Sequence, residues 1–160
     1  MALSSIISEA KNVFEGVTGH GIVHEYERWS KNWSTLLNLF KDSNSRINGL
    51  TISRKGTAQR QATIGEVEKA HVLRIQAVYG LNDADGSETT FQSLLEDYVA
   101  AFNDDDNKTL NNTCLTIDPD WGPMENAVGL QIDDVTTRIF GTVLCHHADM
   151  RLCAIETISV

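Results

Sequence analysis

The chain is short of proline, of cysteine and of long apolar runs, and each shortage excludes something. Two prolines in 160 residues, with 41% hydrophobic and 22% charged residues, describe an ordinary folded protein rather than a disordered one. No segment approaches the run of about 20 apolar residues that spans a bilayer as a helix. The start, MALSSIISEAKNVF, lacks the basic stretch and continuous apolar core of a signal peptide, and Glu9 fits neither a signal nor a transit peptide. Cys114, Cys145 and Cys153 are an odd number without framework spacing, which predicts reduced thiols in a cytosolic setting. The formal glycosylation sequons at Asn32, Asn107 and Asn111 are then without consequence. Basic residues are scarce as well. Thirteen Lys and Arg against twenty-two Asp and Glu give a net charge of −9, which argues against a general nucleic-acid binder.

What is present predicts one domain over residues 1–160, a length that buries about 70% of the unfolded chain's surface. Leu3, Ile6, Ile7, Ala10, Val13, Phe14 and Val17 recur at three- and four-residue steps, the apolar stripe of an amphipathic helix. The glycines of VTGHG stop it. IVHEYER reads as a short strand. A second helix follows, with Trp33, Leu36, Leu37 and Phe40 at helical spacing and Ser30 placed to cap it. Trp29 precedes that cap where a hydrophobic staple sits, so the aromatics of HEYERWSKNW read as core at a strand–helix join.

RINGLTISRKG reads as a strand, TAQRQATIGEVEKA as a loop or mobile hairpin arm, and HVLRIQAVYG as a strong strand. LNDADGSE is a turn into a third helix striped by Phe91, Leu94, Leu95, Tyr98, Val99 and Phe102, with Asp85 or Ser87 as its cap. After NDDDNK come TCLTI, the irregular DPDWGPMENAVG and a β-rich final third. This order predicts an α+β fold, a mainly antiparallel sheet with amphipathic helices packed on one face.

Candidate chemistry is sparse. His20 and His24 stand four apart, but in a strand that separates them by about 13 Å, too far for one metal ion. LCHHADMRLC gathers two thiols and two imidazoles, all zinc-ligand types. On one continuous strand, Cys145 and Cys153 share a face but lie roughly 27 Å apart. A hairpin turning at Ala148–Asp149 instead points the thiols opposite ways. DADGSE fails as a calcium loop, since its glycine falls at the fourth position and Leu94 occupies the twelfth. No phosphate-binding glycine loop or nucleophile elbow occurs. The one basic cluster, Arg46, Arg54, Lys55 and Arg60, reads either as a contact for an acidic surface, such as a neighbouring copy of the subunit, or as a solvated loop.

The opening helix, GIVHEYERWSKNW…LF, the strand ending in ISR, HVLRIQAVYGLNDADGSETTFQSLLEDYVAAF and LCHHADMRLCAIE together resemble the tail-terminator, or tail-completion, proteins of long-tailed bacteriophages. The resemblance covers nearly the whole chain as an ordered pattern. It implies a structural virion protein of the phage neck, assembled in the host cytoplasm, with no reaction and no cofactor. Such a subunit closes into a hexameric ring that caps the tail-tube protein and meets a head-side connector or stopper protein. DNA passes through without specific binding, and no membrane is involved. Interface residues under this reading are Arg54, Lys55, Arg60, Trp121 and Met124, and the interface regions are the strand edges, the loop 56–66 and the irregular stretch 118–130. Trp121 could equally fold back onto its own domain. The alternatives are another neck component, for head completion or head–tail joining, or a small metal-dependent hydrolase built on Cys145, His146 or His147.

Overall fold

Strict alternation along Leu73, Ile75, Ala77 and Tyr79 gives the central strand one apolar face, and the rest of the fold is assembled against it. The computed structural model describes residues 2–28, 30, 32–140 and 142–160, with side chains except those of Ala2 and Trp33. Its elements in chain order are α1 (Ala2–Glu15), β1 (Ile22–His24), α2 (Trp33–Asn38), β2 (Asn48–Thr63), β3 (Glu66–Gly80), α3 (Ser87–Asn103), β4 (Gln131–Phe140) and β5 (Val143–Ser159). The five strands form one sheet in the order β1-β2-β3-β5-β4. Only the β1–β2 pair is parallel. This is the α+β architecture the sequence predicts, and no helix is long and apolar enough to cross a membrane among the described residues.

The two striped helices, α1 and α3, pack side by side on the apolar face. Ile6, Ala10 and Phe14 of α1 are fully buried, and the Phe14 ring meets Tyr98 and Phe102 of α3 edge-on at 5.0 and 4.9 Å. Phe91 of α3 stacks between Tyr79 of β3 and His146 of β5. Burial pushes the Tyr98 phenol upward. The short α2 lies on the opposite face of the sheet. There Leu36 and Phe40 pack with Ile47, Val78 and Cys145, so the expectation of all helices on one face is corrected for this element. Its cap is Asn32, whose Oδ1 accepts from the amides of Ser34 and Thr35, and not Ser30. The expected packing of Trp29 and Trp33 lies outside the described residues.

Two further expectations are corrected. Of the two readings of TAQRQATIGEVEKA, the loop is overturned and the hairpin arm holds. The stretch continues β2 and β3 into a hairpin turned by Ile64 and Gly65, with Glu66–Lys69 also paired to Glu156–Ser159 of β5. Neither Asp85 nor Ser87 caps α3, because Gly86 in the left-handed conformation fills that position without a side chain. Asp85 accepts from Asn82, and the Ser87 hydroxyl accepts from the Asn82 amide while also bonding the His146 ring.

Strand β1 is held to β2 at two close approaches, of Gly21 to Asn48 and of Gly49 to Ile22, where a built Cβ would stand 2.8 Å from the Ile22 carbonyl oxygen. A Cβ on Gly21 would stand 1.9 Å from the Asn48 carbonyl oxygen, so only glycine fits there. Gly56, at the first β2 bulge, has nothing within 4 Å of a built Cβ. Gly21→Ala is therefore expected to cost about 3 kcal/mol or more in urea unfolding. Gly56→Ala should stay within about 0.5 kcal/mol of the parent protein. Equal losses at the two positions would contradict the close approach of Gly21.

Candidate functional site

Three groupings of side chains qualify for a role, the first two sharing one stretch of β2. The first is the basic hairpin. Arg54 and Lys55 are exposed on β2 at its first bulge and form no ion pair among the described residues. Arg60 bonds Glu68 at 2.7 Å, lies 3.8 Å from Asp120, and sits over the Trp121 ring with its guanidinium carbon 4.7 Å from the centroid. Trp121 is half-buried, and its indole nitrogen is buried without a hydrogen-bond partner. Met124 is 5% exposed and packs with Ala70, Val72, Cys153 and Ile155, so it is core of its own chain and not the exposed anchor expected. The physical reason is the tether at Asp118. Its Oδ1 accepts from Lys108 Nζ at 3.0 Å and from the Gly129 amide at 2.8 Å, folding the irregular 118–130 segment onto the sheet.

The second grouping is a polar chain across three strands that the sequence did not reveal. Glu156 Oε1 on β5 accepts from His71 Nε2 on β3 at 2.8 Å, and His71 Nδ1 lies 2.8 Å from the hydroxyl of Thr57 on β2. In the neutral ring, Nδ1 accepts the Thr57 proton. Histidine and glutamate are both buried and Thr57 is exposed. The order hydroxyl, imidazole, carboxylate is that of a nucleophile with its base and orienting acid. Neither of two cavities in the structure includes these residues. The partners are 85 positions apart, and the only sequence sign is a histidine on the apolar side of an alternating strand.

The third is a cavity of about 310 Å³ on the face of the sheet opposite α1 and α3. Leu36, Phe40, Val78, Phe140 and Cys145 wall it, Thr51, Gln76 and His147 floor it, and Glu27, Arg28 and Arg138 reach its rim. Glu27 and Arg28 belong to the aromatic, charged stretch 24–33. A second depression, about 570 Å³, is polar and lies around Arg46, Tyr79 and Asp97.

The thiols and imidazoles of the last third do not converge. Strand β5 is continuous through Ala148–Asp149, so Cys145 and Cys153 lie eight residues apart on one face, in separate apolar clusters. His146 points to the helix face and His147 away from it. His20 bonds the Gly21 carbonyl and His24 the Leu39 carbonyl. No group of three or more metal-ligand residues comes together among the described residues. All three cysteines are free and buried. Burial pushes the Cys145 and Cys153 thiols up to about 11 and that of Cys114 up to about 12. No protein-family profile matches the chain, and no curated protein sequence matches it.

Two outcomes follow from this geometry. A disulfide reagent at pH 8 should leave all three thiols of the native protein unmodified and label them after unfolding in urea, because folding keeps them protonated and covered. Fast labelling of the native state would contradict that burial. Glu156→Leu should cost about 3–5 kcal/mol by stranding the His71 ring, and the double change His71→Leu with Glu156→Leu should cost less than the sum of the single changes. A double-mutant cycle by urea unfolding measures the difference.

Proposed function

We propose that the chain is a structural subunit of the phage tail-terminator type, closing into a ring that caps a tail tube and presents a surface to the head-side connector. The observation that carries the reading beyond the sequence resemblance is the pair of long strand edges on opposite sides of one sheet. On one side β1 covers β2 only at Gly49–Thr51, leaving Arg54–Thr63 without a strand partner there. On the other side β4 is the outermost strand over all ten of its residues. A closed ring needs a different patch on each flank of every subunit, and these are two such patches.

Support also comes from the hairpin. It projects Arg54, Lys55 and the tip residue Ile64, which is 98% exposed, from a chain whose net charge is −9. A neighbour's acidic flank is the natural contact for this arm. The exposed acids Asp104, Asp105 and Asp106 cluster just past α3, and a lumen lined by such groups would repel the DNA backbone. A head-completion or head–tail joining role rests on the same features and differs in which structure the ring touches.

Electron microscopy of the protein alone and mixed with tail tubes and with connectors tests this. Rings seated on one tube end are the expected result. Rings found on connectors alone would move the assignment to another neck component. A protein that stays monomeric and leaves both structures bare at saturating concentration would overturn it. The double charge reversal Arg54→Glu with Lys55→Glu should weaken assembly at least tenfold, about 1.4 kcal/mol, while leaving the unfolding midpoint unchanged.

A further inference from the structure

The cavity beside α2 carries an inference independent of any ring. Its volume of about 310 Å³ lies at the small end of ligand pockets, which run from about 300 to 1,000 Å³. It admits one small molecule and not a folded segment. The walls are apolar, with Phe40 and Phe140 set edge-on at 5.0 Å. The polar groups are confined to the floor and one end.

Those polar groups are short of partners in a specific way. Arg138 lies 3.9 Å from both Asp134 and Asp149, close enough to balance charge but too far to hydrogen-bond, and no hydrogen bond of its guanidinium is present among the described residues. On the same sheet Arg151 forks onto Asp133 at 2.6 and 3.0 Å, and Arg74 bonds Asp149 at 3.3 Å. Arg138, half-exposed, thus keeps a donor fork that no protein group holds among the described residues.

His147, 8% exposed, lines the floor. Its Nδ1 is buried without a partner, and so is the hydroxyl oxygen of Thr136, the residue directly opposite it on β4. Burial, with Arg138 next in order, holds the His147 ring below the usual imidazole range against the opposing pull of Asp149, so it is neutral at pH 7. A neutral ring has one donor and one acceptor nitrogen. Placing the ring proton on Nε2 leaves Nδ1 as the buried acceptor and makes Nε2–H the donor available to the cavity.

We propose that this cavity is a binding site for a small monocarboxylate with an apolar or aromatic body, the carboxylate taken by Arg138 and His147 Nε2–H and the body packed against Leu36, Phe40, Val78 and Phe140. A carboxylate is the group that accepts from a guanidinium fork and an imidazole N–H together. The amide of Gln76 on the floor is a third donor within the same lining. Asp134 and Asp149 already offset the charges of Arg138 and Arg74, so affinity comes from the directed donors and from apolar burial more than from net charge.

The test titrates 3-phenylpropionate into isotope-labelled full-length protein, following the methyls of Leu36 and Val78 and the ring nitrogens of His147 by NMR. Saturable shifts confined to the cavity, at millimolar affinity or tighter, are expected. So is an Nε2–H tautomer for His147. The neutral isostere 3-phenylpropanamide and the variant Arg138→Gln should each weaken binding about tenfold, with the unfolding midpoint of the variant unchanged. Equal affinity for acid and amide would overturn the carboxylate assignment. Shifts scattered over the surface, or none at the cavity, would overturn the site.

Discussion

The register in which Glu66–Gly80 pairs with a long strand on each side is the constraint on which the other contacts depend. A slip of one residue would send Leu73, Ile75, Ala77 and Tyr79 to the far side of the sheet and put Arg74 and Gln76 beneath α1 and α3. Apolar alternation alone leaves slips of two residues open. The chain of Thr57, His71 and Glu156 closes that gap, since its three groups meet in one alignment of β2, β3 and β5 and a two-residue slip strands a buried carboxylate. The polar pair at one end of the central strand thus selects among alignments that the hydrophobic pattern treats as nearly equal.

With the register fixed, the two sides of the sheet have different fates. One is closed by α1 and α3, whose aromatic residues interlock over β3. The other is covered, among the described residues, by α2 over Val78 and Cys145 and by the 118–130 segment over Ala70, Val72 and Cys153. Between these covers run Thr51, Gln76, Arg74, His147 and Asp149, polar residues on strands whose alternate positions are deep core. Both sides of β5 are buried at Cys145 and again at Cys153–Ile155.

The parts of this fold legible in sequence are those where one rule acts alone. The stripes of α1 and α3 and the alternation of HVLRIQAVYG are periodic because each faces a single apolar layer. Where two rules compete, local reading fails. TAQRQATIGEVEKA is polar on both sides and looks like a loop, yet it is strand because β3 and β5 continue beside it and supply its ladder. Phe40 has helical spacing but lies beyond the end of α2, and it is buried by the sheet rather than by helix geometry. Met124 sits among prolines and acids as a surface residue would, and is drawn inward by an aspartate tether six residues earlier. The candidate sites were least legible, since the His71–Glu156 and Thr136–His147 pairings join residues that only the completed sheet brings together.

The outer strands also carry a tension that bears on assembly. An open edge invites pairing with any chain, and proteins blunt such edges with bulges and charge. Here β2 has two bulges and β4 one, and a charge of opposite sign sits at one bulge of each, Lys55 on β2 and Asp133 on β4. Asp133 is held by Arg151, whereas Lys55 and its neighbour Arg54 have no ionic partner among the described residues. The β4 edge is thus neutralised within its own subunit, and the β2 edge keeps two free positive charges. An edge protected by bulge and charge resists indiscriminate strand addition and admits a partner that supplies the missing acids. Under the ring proposed above, that asymmetry between the two flanks would set a single direction of joining.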